Sequence, residues 1–184
     1  MKKVYLAGPQ VFLENPVVYF AGACGLCKRM GFEALVPLDS AVTTAPAIFA
    51  YNKALLRYAD YVVADVTPFR GTEPDSGTAW EIGFAHALGI PVVMRINAPA
   101  LTLYARTALH FGLVDTAPHV MPDGMSTDGF GRYANLMLEA SGTMVVGNLR
   151  AALEAVQHLE LARQAISEDH KALMSRPWLL VNTF

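Results

Sequence analysis

Between Asp75 and Arg95 the chain carries one formally charged residue, Glu81, inside the run Asp75-Ser-Gly-Thr-Ala-Trp-Glu-Ile-Gly-Phe-Ala-His-Ala-Leu. The run predicts a buried helix, because Ala79, Trp80, Ile82, Phe84, Ala85, Ala87 and Leu88 leave almost no polar face. Asp75 is a good N-cap, with Ser76, Gly77 and Thr78 as the first turn. An ionised carboxylate is costly to bury without partners, so a glutamate here needs a reason. Gly77 precedes Glu81 by one turn on the same face and leaves a ligand a clear approach to the carboxylate. The nearby helix N-terminus favours the charged form. A carboxylate nucleophile would be presented in this way. A structural Glu bonded to a backbone amide, or to a neighbouring Tyr or Arg, would satisfy the same pattern.

Other chemistry-bearing residues fall at the ends of predicted strands, where open parallel sheets bind ligands. Tyr5 is near the end of the first strand and Asp65 ends the third, while Asp75 and Glu81 open the helix that follows. The loop between, Val66-Thr-Pro-Phe-Arg-Gly-Thr-Glu-Pro-Asp75, is long enough to shape a pocket wall. Three carboxylates at one edge suit acid–base and nucleophilic work. Magnesium is the competing use, but no His joins them at a ligand spacing, and the expectation is no metal. Phe12, Phe69 and Trp80 are candidate stacking walls, each with an alternative place in the core. Arg70 is placed either to contact substrate or to pair with Glu73. The two cysteines, Cys24 and Cys27, form a lone C-x-x-C inside a helical stretch with no second ligand pair, and read as two small helix residues.

The elements that must position these groups alternate. Strands are expected at Lys3–Ala7, 34–37, Tyr61–Asp65, 91–95 and Thr143–Val146. Helices are expected at 16–30, 47–58, from Asp75 to a stop at Gly89, and from about Leu149 to Ala165. That order implies an α/β fold with a doubly wound, five-stranded parallel sheet. From Ile96 to about Gly131 the pattern fades, with room for a short helix around 101–109. A chain of 184 residues suits one domain, here residues 1–166, with a tail at 167–184 apolar enough to dock on the domain or a neighbouring subunit. Net charge of −2 gives no basic footprint for a nucleic acid polymer. No apolar run reaches the roughly 20 residues that span a bilayer. The opening Met-Lys-Lys-Val-Tyr-Leu-Ala-Gly-Pro reads as a first strand rather than a leader, so a cytoplasmic protein is expected. At 53% hydrophobic and 16% charged residues, surplus apolar surface is expected to go into subunit contacts.

Four blocks, Tyr5-Leu-Ala-Gly-Pro, Ala64-Asp-Val-Thr-Pro-Phe-Arg-Gly, Glu73-Pro-Asp-Ser-Gly-Thr-Ala-Trp-Glu-Ile-Gly-Phe-Ala and Gly129-Phe-Gly…Asn135-Leu-Met, resemble the nucleoside 2-deoxyribosyltransferase family in order and spacing. The resemblance covers roughly residues 1–150. It implies a flavodoxin-like (Rossmann-like) fold and transfer of 2-deoxyribose between bases of free deoxynucleosides, through a covalent intermediate with retention and without a cofactor. It assigns Glu81 as nucleophile, Asp65 as the carboxylate handling the base's proton, and Tyr5 as the group orienting the nucleophile. It also assigns Asp75 to the sugar hydroxyls, and Asn135, with Met137 beside it, to the neighbouring subunit's sugar site. The partners implied are small deoxynucleosides and free bases, and a second copy of the chain.

Chemistry supports the same assignments. Two displacements at one carbon retain configuration, and a protonated base leaves more readily. Transfer rather than hydrolysis needs a pocket that holds the base and limits water. The nearest rival is a relative that hydrolyses 2-deoxynucleoside 5-monophosphates; such relatives typically carry Ser where this chain has Asn135. A nucleotide-sensing module without turnover would not need Tyr5, Asp65, Asp75 and Glu81 together. A flavodoxin-like electron carrier lacks support, since no Ser/Thr-rich phosphate loop follows the first strand.

Overall fold

The computed structural model describes residues 1–39, 41–97, 100–113 and 120–174, with side chains through 168. Five parallel strands are ordered β2-β1-β3-β4-β5, with β1 at Lys2–Ala7, β2 at Phe32–Leu35, β3 at Tyr61–Asp65, β4 at Val92–Ile96 and β5 at Thr143–Val146. The connecting helices are α1 (Pro16–Arg29), α2 (Ala45–Tyr58), α3 (Ser76–Ala87), α4 (Leu103–His110), α5 (Leu136–Glu139) and α6 (Leu149–Met174). A 3-10 turn at Pro9–Phe12 joins β1 to α1. The expected doubly wound α/β fold is therefore present.

Strand alternation divides the core into two layers. Val4, Leu6, Tyr61, Val63 and Val93 face α1 and α6, where they meet Phe20, Ala23, Cys27, Leu153 and Val156. Tyr5, Ala7, Val62, Ala64, Val92 and Met94 face the opposite way, against Leu56 of α2 and Ile82 and Ala85 of α3. Tyr5 is level with Val62 in the β1–β3 register, and Asp65 with Arg95 in the β3–β4 register. Both strands are buried from end to end in the sheet centre, as expected of a parallel sheet covered on two sides.

Several expectations are corrected in detail. β2 begins at Phe32, directly after Gly31, because Phe32 and Leu35 are the residues that register with Lys2 and Tyr5. α3 is not buried all round. Only Thr78, Ile82 and Ala85 are fully covered, and Trp80 and Leu88 are each 42% exposed. α6 continues without a break past Ala165 to Met174, so the start of the expected tail is helix. Residues 175–184, where the docking tail was expected, lie outside the described residues. No helix among the described residues is long and apolar enough to cross a membrane.

Candidate active site

The site is built where β1 and α3 face each other. Tyr5 is fully buried on β1, and its phenol donates to Glu81 Oε1 at 2.5 Å. Asp75 caps α3, with Oδ2 accepting from Thr78 N at 2.9 Å and from Thr78 Oγ1 at 3.1 Å. The cap thus fixes one carboxylate six residues, about one and two-thirds helical turns, ahead of the other. Burial pushes the Glu81 carboxyl up to about 7; the Tyr5 hydrogen bond opposes that rise and the nearby Asp75 charge adds to it. Burial, then the Glu81 charge, raises the Tyr5 phenol far above its usual range, so it stays a donor.

These groups open into a cleft of about 400 Å³ lined by Glu81, Asp75, Gly77, Thr78 and Gly8, with apolar walls from Val11, Phe12, Leu38, Val42 and Ile48. Asp39, Tyr51 and Asn52 supply its remaining polar lining. The volume lies in the range of small-molecule sites. A Cβ on Gly77 would stand 3.0 Å from Asp75 Oδ2, so glycine leaves the Asp75 carboxylate uncrowded.

Asp65 does not join them. It is three residues beyond Val62, so alternation turns it to the α1/α6 face, opposite Tyr5 and Glu81. There its Oδ2 accepts from Arg95 Nη2 at 2.6 Å and from Gln10 Nε2, and its Oδ1 accepts from Thr67 N at 3.0 Å. It backs onto the cleft wall, since a Cβ on Gly8 would meet its Cβ at 3.0 Å. It is not among the residues that line the cleft.

Phe12 lines the cleft and is 57% exposed, and its ring stacks on Phe69 at 5.3 Å. The Arg70 guanidinium lies 4.7 Å from the Phe69 ring centre and 5.7 Å from that of Phe12. Arg70 thus lies against the aromatic wall, from a backbone position at φ 53°. Trp80 is no wall of this cleft. One residue before Glu81, it points about 100° away around the helix and packs on Phe49 and Phe84. Asn135 and Met137 are exposed and do not line the cleft of their own chain; Asn135 caps α5 by accepting from Met137 N at 2.9 Å. Cys27 is buried in the core, its thiol raised to about 11 by burial, and Cys24 is half-buried and also raised.

Several contributions were not foreseen from sequence, Asp39 of the cleft lining among them. Asn52 and Tyr51 reach the cleft from α2, a helix with no chemical motif. Arg106 on α4 donates to the carbonyls of Thr72 at 3.0 Å, Leu101 at 2.5 Å and Tyr133 at 2.6 Å. It ties the loop that leads to Asp75 to the segment that leads to Asn135. Arg106, not Arg70, is the cation that acts on Glu73, whose carboxyl is raised by burial and lowered by that guanidinium. No alternation or cap signal points to such a side chain; it becomes visible only when the segments meet. Among the described residues no group of His, Cys, Asp and Glu side chains is arranged to hold a metal ion.

A buried carboxylate held by a phenol beside a second carboxylate, at the carboxyl edge of a parallel sheet, is an arrangement suited to acid–base or nucleophilic chemistry. The profile of the nucleoside 2-deoxyribosyltransferase family matches residues 4–137, and this chain belongs to that family. A 2-desoxiribosyltransferase from Leishmania mexicana is 34% identical, with a TM-score of 0.70 over 84% of this chain and 96% of its own. A conserved protein from Enterococcus faecalis shares the fold at 22% identity and a TM-score of 0.57, over 86% of this chain and 98% of its own. An uncharacterized Schizosaccharomyces pombe protein is 30% identical over 99 residues, 48% of this chain, and the match spans 47% of that protein's length.

Proposed function

We propose that the protein transfers 2-deoxyribose between the bases of free deoxynucleosides, with Glu81 as the nucleophile. The observation that carries this reading is the Tyr5–Glu81 hydrogen bond at the floor of the cleft, beside Asp75. Tyr5 holds one oxygen of Glu81 and leaves the other to attack. Breaking the glycosidic bond develops positive charge on the sugar, which the nearby carboxylate stabilises and then captures as a deoxyribosyl ester. The electron pair of the broken bond leaves with the base, which takes up a proton. The incoming base attacks the same carbon from the opposite face, releases Glu81 and restores the original configuration. Asp75 is placed to bind a sugar hydroxyl.

The family resemblance assigns the base's proton to Asp65. The geometry favours Asp39, which lines the cleft, whereas Asp65 lies on the other face of the sheet in an ion pair with Arg95. Transfer over hydrolysis is supported by the apolar walls from Val11, Phe12, Leu38, Val42 and Ile48, which can hold a base and limit water at the ester. It is supported also by the 34% identity to the Leishmania mexicana transferase across nearly its whole length. Asn135, the cap of α5, and Met137 in its first turn are exposed, which supports a role in completing the site of a second copy. Incubation with 2-deoxyinosine, with and without adenine, tests the reading by chromatography. Deoxyadenosine formed only with adenine is the expected result. Hypoxanthine release without a new nucleoside would make the protein a hydrolase.

A further inference from the structure

We propose that Glu73 is a positioning residue, its carboxylate holding the backbone of Asn135 and so setting the α5 turn against the loop that leads to Asp75. The proposal rests on the reading of Glu81, Asp75 and a second copy's Asn135 as one deoxynucleoside site. Glu73 is not among the residues that line the Glu81 cleft, so it acts through others.

The turn that carries Asn135 is a row of backbone N–H groups aimed at side-chain oxygens. Tyr133 N and Ala134 N donate to Glu139 Oε2 at 2.7 and 3.2 Å, and Leu136 N donates to Asp128 Oδ2 at 3.0 Å. Met137 N donates to Asn135 Oδ1 at 2.9 Å. Between them, the N–H of Asn135 is directed at the carboxyl of Glu73. Asp128, Asn135 and Glu139 belong to the turn and its approach, whereas Glu73 reaches it from the loop after β3.

A glutamate needs a reason at this place. Its Oε2 is buried with no hydrogen-bond partner among the described residues. Burial raises the carboxyl; the Arg106 charge and the Asn135 N–H lower it, and the Asp128 charge adds to the rise. Leucine would fill the same space without the cost of burying a carboxylate. Arg106 acts on Glu73 by its charge, while its hydrogen bonds run to the carbonyls of Thr72, Leu101 and Tyr133. Two ties therefore lie side by side. Arg106 joins Thr72 to Tyr133, and Glu73 joins the next residue of the loop to Asn135. One tie leaves the two segments a pivot, and the second removes it. Asp75 is two residues beyond Glu73, at most about 7 Å along an extended chain. The loop that ends in Asp75 and the turn that presents Asn135 and Met137 are thus held in one fixed relation.

Glu73→Gln keeps an oxygen acceptor for the Asn135 N–H, and Glu73→Leu removes it. Amide exchange at Asn135, followed by NMR in the full chain, should be about fivefold or more faster in Glu73→Leu and near native in Glu73→Gln. Equal exchange in all three proteins would overturn the proposal. Mixed chains read the consequence for the site. Glu81→Gln and Asn135→Ala chains should each be impaired alone and regain activity together, where an intact Glu81 meets an intact Asn135. Glu73→Leu added to the Glu81→Gln chain, which lends only Asn135, should raise KM for 2-deoxyinosine about threefold or more, with the acid limb of kcat in place. Glu73→Gln in the same chain should restore KM. A lower Tm with fewer active sites at unchanged KM would overturn the proposal in favour of a structural role. If the mixture regains nothing, the second-copy reading fails separately, and if the native protein turns over no deoxynucleoside, the transferase reading does. Amide exchange at Asn135 then decides Glu73: faster exchange in Glu73→Leu supports its hold on the turn, and equal exchange overturns it.

Discussion

Replacing Tyr5 by Phe removes the hydrogen bond that holds Glu81 while leaving the ring in the core. The bond is short, 2.5 Å, and it opposes the effect of burial on Glu81, which stands at about 7. A hydrogen bond to a charged group contributes about 1.5–3 kcal/mol. At 1.36 kcal/mol per pKa unit, its loss raises Glu81 by about 1–2 units, to roughly 8–9. A nucleophile must be ionised, so the acid limb of kcat should move to higher pH by that amount. At pH 7 the ionised fraction falls from about one half to roughly 1–10%, a loss of about 5- to 50-fold that recovers as pH rises. Stability carries the same sign. Glu81 in the folded protein holds its proton above the ordinary value of 4.5, so its contribution is complete below that value and is lost as pH rises through about 7. In Tyr5→Phe that loss should extend upward by the same 1–2 units. The assay is the initial rate of deoxyadenosine formation from 2-deoxyinosine and adenine, from about pH 5 to 10. An acid limb that stays near its native position, or a loss equal at every pH, would refute Tyr5 control of Glu81 ionisation.

Other variants test the remaining parts. Asp75→Asn keeps an N-cap for α3 but removes the charge that raises Glu81, so the acid limb should move to lower pH, opposite to Tyr5→Phe, while KM for the nucleoside rises; no movement of the limb would contradict the coupling. Asp39→Asn should lower kcat most for donors whose base leaves poorly without a proton, whereas Asp65→Asn should act chiefly on Tm through the Arg95 pair; the reverse pattern would return the proton role to Asp65. Arg106→Lys can keep one of the three carbonyl contacts, so two are lost, at about 2 kcal/mol or about 4–8 °C in Tm. An unchanged melting curve would show that the tie between the two loops contributes nothing.

The doubly wound sheet was legible because its strands are short apolar runs separated by capped helices, and the Asp75 cap with Glu81 beyond it was legible from the same run. Asp65 was misplaced for a reason that strand parity contains: once Tyr5 is level with Val62, a residue three further along must face the other way. Sequence order alone places Asp65 at the correct edge of the sheet but does not give that register. Trp80 was misread because a helix rich in apolar residues suggests burial on every side, whereas α3 keeps Trp80 and Leu88 half-exposed. Asn52 and Arg106 carry no local signature. Their places in the structure arise from α2 and α4 packing beside segments distant in sequence, Arg106 reaching Thr72 and Tyr133 across 34 and 27 positions.

The proposed transfer depends on a covalent bond between Glu81 and the sugar. A 2-fluoro analogue of the deoxynucleoside, in which fluorine destabilises positive charge at the neighbouring carbon, should slow release of the sugar from the enzyme and let the ester accumulate. Peptide mass spectrometry should then find the fluorinated sugar on the peptide containing Glu81, absent in Glu81→Gln and discharged when adenine is added. Continued turnover with no adduct, or an adduct on any other residue, would contradict the account.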